Sequence, residues 1–232
     1  MAELFTPIAV GHGLLGNYAP VVHPPLGPDF LMAWGGEVRP LEDPVLGGGG
    51  AFGSIWVPML ARLRARRVID RAVVTVLAPR HLRIGQLLPA EPILEALRWE
   101  LEWRERTGVP TSHVLLQLGP DDVRSGTTPA RFRRALHQVI AEIEALAPAA
   151  AILLARDSHV SGLAHPTLAS VQTEVASRLR LPRGPDLDRV GASFRAGAVD
   201  YDDGGQARAA DAWADAVVRS LDGARRVALT SG

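Results

Sequence analysis

Short apolar runs and amphipathic stretches alternate along the chain. Four runs consist almost wholly of apolar residues, a pattern typical of strands that are covered on both faces of a sheet. They are Pro7 to Val10, Ala72 to Ala78, His113 to Leu118 and Ala151 to Ala155. We therefore predict buried strands at these four positions.

Five other stretches place apolar residues at helical spacing. They are Ile55 to Arg67, Ala90 to Arg106, Thr128 to Leu146, Pro166 to Leu181 and Gly205 to Leu221. Strands that alternate with helices form βαβ units with right-handed crossovers. The pattern predicts an α/β fold, a three-layer doubly wound parallel sheet of the flavodoxin-like type, with about five strands and helices on both faces.

Residues 19–51 break the alternation, because they are rich in Pro and Gly and include the run Gly47 to Gly50. Such a long connection predicts a functional or packing loop. No repeat or linker divides the sequence, and 232 residues can bury a hydrophobic core without disulfides or metal ions to stabilise it. We therefore expect residues 1–232 to form a single domain.

The formal net charge is zero, which predicts no general attraction to nucleic acid or to an anionic membrane. The sequence has no cysteine, and its seven histidines lack the spacing of metal ligands, so we expect no metal and no cofactor. The N-terminus lacks the pattern of a signal peptide, and the longest apolar stretch, around Ala147 to Ala155, is too short to span a bilayer. We expect a soluble protein that is made in the cytoplasm.

Several short motifs occur in order along nearly the whole chain. They are Gly11-His12-Gly13, Trp34-Gly35-Gly36-Glu37, Leu41-Glu42-Asp43-Pro44, Gly49 to Trp56, His113 to Asp122, Gly184 to Asp188, and Tyr201-Asp202-Asp203 with Ala212-Trp213-Ala214. Together they make the chain resemble the carbohydrate-esterase branch of the SGNH hydrolases, the group that includes acetylxylan and sialate acetyl esterases. The resemblance implies the same type of doubly wound fold.

The resemblance implies that hydrolysis would need a nucleophilic serine, an oxyanion hole and an Asp–His pair near the C-terminus. The serine position aligns with Gly13, which has no side chain. Pro79 replaces a glycine of the oxyanion hole and offers no N–H, while Pro120 replaces the acidic residue after Gly119. Asp202 is present without its histidine, and it is also typical of a solvated turn. We predict that the catalytic positions Gly13, Gly119 and Asp202 are degenerate.

The loops after the strands reach the carboxyl edge of the sheet, where doubly wound folds bind their ligands. These loops carry many polar side chains and few nucleophiles, which suits a polar or acidic glycan. The predicted ligand-binding residues are His12, Asn17, Trp34, Arg80, His81, Gln117, Asp122 and His159.

Other roles stay open for some of these positions. His12 is also explained as a partly buried histidine that caps a turn, Asp122 as the cap of a helix, and Trp34 as the anchor of its own loop. Ser158 and His159 suggest a catalytic pair, but neighbours in a strand point to opposite faces. The sequence therefore gives no support for a relocated triad.

Three functions fit these observations. The first hypothesis is a catalytically degenerate domain that binds a carbohydrate or polysaccharide at the remnant cleft. The second is an active acetyl-ester carbohydrate esterase whose catalytic residues are displaced. The third is a structural or receptor-binding module, such as a spike or fibre subunit with protein partners, released in a phage-like particle.

Overall fold

A mixed β-sheet runs through the centre of the protein in the computed structural model, which describes residues 3–196 and 199–230. Its strands are β1 (Glu3–Phe5), β2 (Pro7–Gly11), β3 (Phe30–Trp34), β4 (Glu37–Pro40), β5 (Ile69–Leu77), β6 (His113–Gln117), β7 (Ala151–Arg156) and β8 (Arg183–Asp186). The order across the sheet is β4-β3-β5-β2-β6-β7-β8, and β1 pairs with β5 as well. All pairs are parallel except β3 with β4.

Helices cover both faces of this sheet. They are α1 (Trp56–Ala65), α2 (Pro92–Thr107), α3 (Pro120–Arg124), α4 (Pro129–Leu146), α5 (Pro166–Arg178) and α6 (Asp203–Thr230). A small antiparallel hairpin of β9 (Arg195–Ala196) and β10 (Asp200–Tyr201) precedes α6. Among the described residues, no helix is long and apolar enough to cross a membrane.

Alternate residues of the central strands enter two separate cores. In β2, Ala9 packs on the side of α1 and α6, whereas Ile8 and Val10 pack on the side of α2, α4 and α5. Both cores exclude water, and Trp56 and Trp213 are fully buried in the first of them. Strands buried on both faces need apolar residues at every position, which explains the continuous runs. The predicted three-layer α/β fold is confirmed.

The helix boundaries follow the signals in the sequence closely. Pro92, Pro129 and Pro166 each occupy the first helical position, where a missing N–H costs nothing. The Thr128 hydroxyl accepts a hydrogen bond from the Arg131 N–H, as expected for a cap. Helix α6 differs from the prediction, since it begins at Asp203 and continues past Leu221.

Two elements at opposite edges of the sheet depart from the prediction. Residues 19–51 are not a loop throughout, because they contain the β3–β4 hairpin, whose outer strand is exposed along its whole length. Strand β8 was not predicted because its four residues include Gly184 and Pro185. Proline is tolerated in an edge strand, where its missing N–H faces away from the ladder.

Candidate functional site

The carboxyl ends of β2, β5, β6 and β7 meet at one edge of the sheet. His12 follows β2 directly, and the next residue, Gly13, begins a short 3-10 turn. A cavity of about 30 Å³ lies here, lined among others by His12, Gly13, Arg80 and Asp121. That volume is close to the share of one water molecule in liquid water, so no sugar ring fits inside.

The His12 imidazole forms a buried hydrogen bond with Asp157, the residue after β7. The His12 Nε2 atom lies 3.0 Å from the Asp157 Oδ2 atom, and the two side chains are 3% and 0% exposed. The Gln117 amide donates a second hydrogen bond to the same oxygen, at 2.8 Å. The Trp213 indole N–H of α6 donates in turn to the side-chain amide oxygen of Gln117, at 3.3 Å. The four side chains therefore link three strands and a helix beneath the cavity.

The Asp157 carboxylate is ionised in this network. Burial alone raises its pKa, but the hydrogen bond and charge of His12, the charge of Arg195 and the bond from Gln117 together lower the pKa below its ordinary value. Because an ionised carboxylate only accepts, His12 Nε2 carries the hydrogen of their bond. A histidine oriented by a buried aspartate is half of a general-base system, but it needs a hydroxyl or water to act on.

The β9–β10 hairpin places two further side chains near the His12–Asp157 pair. The Arg195 guanidinium lies 5.0 Å from the centre of the Tyr201 ring, and Arg195 donates to the carbonyl oxygens of Val199 and Leu187. Burial and the nearby charge of Asp157 raise the pKa of Tyr201 well above its ordinary value, so its hydroxyl stays protonated. Sequence reasoning missed Arg195 altogether, since no motif includes it.

The nucleophile position is closed by the backbone. A Cβ atom on Gly13 would lie 2.9 Å from the Arg80 carbonyl oxygen and 3.2 Å from the Tyr18 ring. The Gly13 N–H also donates to that same carbonyl oxygen, at 3.3 Å. Neither a side chain nor a free oxyanion donor is available at this residue, which a serine hydrolase would require.

The other two positions that the sequence predicts to be degenerate, Gly119 and Asp202, have structural roles. Gly119 has a φ of +132°, and a Cβ atom there would lie 2.0 Å from the Asp157 carbonyl oxygen. Asp202 accepts a hydrogen bond from the Gly205 N–H at 2.7 Å and thereby caps α6. Asp202 is therefore tied to the helix and is not simply a solvated turn residue.

His159 and Ser158 do not act on each other. The Ser158 hydroxyl donates to Asp188 at 2.8 Å and accepts from the His165 N–H at 3.0 Å. Burial, followed by the charge of Arg195, lowers the pKa of His159, so this buried imidazole is neutral near pH 7. The pair forms no relocated triad.

Three predicted ligand-binding residues use their polar groups for hydrogen bonds inside the protein. The Asn17 amide bonds to the backbone of Val45 and Gly48 and holds the Gly-rich loop. The Asp122 carboxylate accepts from the Ile84 N–H and the Thr127 hydroxyl. Gln117 belongs to the His12–Asp157 network described above. These side chains lie outside any exposed binding surface.

Trp34 also lies away from the cleft. It ends β3, which β5 separates from β2, and its ring packs against Gly47 and the core beside α2. This contact fits the alternative role of Trp34 as an anchor of the loop that follows it.

An open groove continues from the small cavity along the ends of β5 and β6. It has a volume of about 370 Å³ and is lined by His81, Arg83, Gln86, Asp121, Arg124 and Ser125. The side chain of His81 is 63% exposed and that of Arg124 is 43% exposed. Arg80, which lines the small cavity beside the groove, lies over the Tyr18 ring and pairs with Asp200 at 3.0 Å. We call the six residues that line the groove the polar groove.

No group of three potential metal ligands occurs among residues 3–196 and 199–230. The polar groove therefore offers hydrogen-bonding and charged groups, mostly donors, and the buried network beneath it offers no nucleophile. The arrangement can hold a polar molecule at the surface of the protein.

No protein-family model matches the sequence, and no curated protein sequence matches it. Solved structures match the fold. The psychrotrophic esterase EstA from Pseudoalteromonas sp. matches with a TM-score of 0.62 and 15% identity, over 94% of this chain and 98% of that one. The carbohydrate acetylesterase Est24 from Sinorhizobium meliloti matches with a TM-score of 0.58 and 12% identity, over 92% and 98% of the two chains.

A third match shows that the fold also occurs as part of a longer protein. A Bacillus subtilis protein matches with a TM-score of 0.58 and 14% identity, over 94% of this chain but 57% of its own. The comparisons confirm the predicted SGNH-hydrolase type of fold.

Proposed function

We propose that this chain, which has the fold of SGNH-type esterases, binds a carbohydrate in the polar groove and carries out no serine-dependent hydrolysis. The observation that carries the proposal is the contrast at one edge of the sheet. The nucleophile position is closed by the Arg80 carbonyl oxygen, whereas the adjacent groove is open and lined by polar side chains. This contrast supports a role in binding without serine-dependent chemistry.

The chemistry of the groove favours a glycan that carries acidic groups. Arg83 is a planar donor that can hold a carboxylate or sulfate with two parallel hydrogen bonds, and Arg124, whose Nη1 atom bonds to Asp121 of the groove at 3.2 Å, offers its remaining N–H groups. Gln86 and Ser125 add neutral donors and acceptors suited to sugar hydroxyls. One of the matched structures with this fold is a carbohydrate acetylesterase, which supports a carbohydrate ligand by analogy.

Removing the arginines of the polar groove should weaken glycan binding. Arg83→Ala and Arg124→Ala are each expected to raise the Kd for an acidic polysaccharide about tenfold or more, because each removes a charge-assisted hydrogen bond. Arg134→Ala, on the exposed face of α4, is the matched control and should leave the Kd unchanged. Calorimetry on all four proteins measures the effect, after a glycan array has identified the polysaccharide.

Two results would overturn the glycan proposal. The first is an array on which wild-type protein binds no polysaccharide. The second is a Kd that neither groove substitution changes, which would place binding elsewhere on the protein.

Restoring the serine should not restore hydrolysis. We expect wild-type protein and Gly13→Ser to hydrolyse 4-nitrophenyl acetate no faster than heat-denatured protein, because the oxyanion donor is occupied. Gly13→Ser should also lose about 1–3 kcal/mol of stability, as the added Cβ crowds the Arg80 carbonyl oxygen. An esterase assay and urea unfolding test both expectations. Wild-type activity that a serine-directed inhibitor abolishes would contradict the proposal.

A further inference from the structure

A second pocket lies at the β8 edge of the sheet, between α5 and β8. Its volume is about 400 Å³, within the range of small-molecule sites. None of the residues that line it belongs to the polar groove. The proposed glycan site therefore does not account for it.

The pocket combines an apolar wall with unpaired positive charge. The wall is formed by Leu154, Ala176, Leu181 and Pro185. Arg180 and Arg183 stand at its rim, and within the described part of the chain neither forms an ion pair.

The one acidic residue that lines the pocket is already neutralised. The Asp186 carboxylate lies 3.5 Å from the Arg156 guanidinium and 3.2 Å from that of Arg189. The two free guanidinium groups are thus left to face an anion.

Arg180 occupies a backbone position that normally selects glycine. Its φ is +55°, and it closes the end of α5 with hydrogen bonds from Arg180 N–H to Ser177 and from Leu181 N–H to Ala176. This is a Schellman motif, whose left-handed residue is usually glycine because a side chain is strained there. The chain tolerates that strain at a residue whose side chain reaches the pocket.

We propose that this pocket binds a small amphipathic carboxylate, with the aliphatic tail on the apolar wall and the carboxylate held by Arg180 and Arg183. An apolar lining with a few convergent polar groups is the usual composition of a small-molecule site. Two guanidinium groups give the charge and the geometry that a carboxylate prefers.

Calorimetry with three probes tests the chemistry of the ligand. Octanoate carries both the tail and the charge, octan-1-ol only the tail, and acetate only the charge. Octanoate should bind at least tenfold more tightly than either of the others. Equal affinity for octanoate and octan-1-ol, or no binding of octanoate, would overturn the proposal.

Substitutions locate the site and separate binding from folding. Arg183→Gln should raise the octanoate Kd about tenfold. Arg180→Gly should do the same while raising Tm by about 2–4 °C, because glycine relieves the left-handed strain.

Arg67→Gly is the matched control for Arg180→Gly. Arg67 closes α1 in the same motif with a φ of +57°, but it lies outside the pocket. This variant should gain a similar Tm and keep the wild-type Kd. A Kd that neither Arg180→Gly nor Arg183→Gln changes would refute the assignment.

Discussion

Replacing His12 by alanine is expected to lower the free energy of unfolding by about 3–5 kcal/mol. The substitution leaves Asp157 as a buried carboxylate without the imidazole that donates to it, and only the Gln117 amide still bonds to the same oxygen. Urea unfolding of the wild-type protein and the variant measures the loss. Arg134→Ala, which alters an exposed residue of α4, should stay within about 0.5 kcal/mol of the wild type.

The double variant His12→Ala/Asp157→Ala distinguishes the contribution of the His12–Asp157 hydrogen bond from that of the packing around it. If the imidazole and the carboxylate stabilise each other, the double variant loses less stability than the sum of the single losses. Additive losses would show that the pair makes no net contribution.

The pH dependence of stability tests the contribution of Asp157 independently of the His12 variants. The folded pKa of Asp157 lies below its ordinary value of 3.8, so its stabilising contribution is present above about pH 4 and is lost as pH falls through the folded pKa. Asp157→Asn should show a shallower loss of stability in that acidic range.

Gly119→Ala is expected to cost about 3 kcal/mol or more. The new Cβ atom would lie 2.0 Å from the Asp157 carbonyl oxygen, and the φ of +132° is strained for any other residue. Gly126→Ala is the matched control, because Gly126 also has a positive φ, of +67°, but nothing lies within 4 Å of the added Cβ atom. The control should lose only about 1 kcal/mol, the cost of strain alone. Similar losses in the two variants by urea unfolding would rule out the close contact as the cause.

The fold was predictable because burial on both faces leaves a simple pattern. Strands β2, β5, β6 and β7 each contain a run of mostly apolar residues, so each can be predicted from its local sequence. The β3–β4 hairpin and β8 lie at the sheet edges, where exposure, proline and glycine weaken that pattern.

The site was predictable only in part, because partners far apart in sequence decide what a polar residue does. The loops at the carboxyl edge were located correctly, but His12 and Asp157 are 145 positions apart and no spacing joins them. Arg83, which follows β5 in the same edge region, has an exposed side chain, whereas Asn17 and Asp122 turn inward to backbone N–H and carbonyl groups. Every residue has a backbone N–H or carbonyl group, so the sequence does not indicate which residue a polar side chain will bond to in this way.

The bond from the Gly13 N–H to the Arg80 carbonyl oxygen has an evolutionary consequence. It joins the loops after β2 and β5 through main-chain atoms, which no single change of side chain can remove. Serine could arise at position 13 by mutation, yet its N–H would already be bonded and its Cβ atom would crowd the Arg80 carbonyl oxygen. A gain of serine-dependent esterase activity at this residue would therefore require a change in the course of the backbone before selection could act on the new nucleophile.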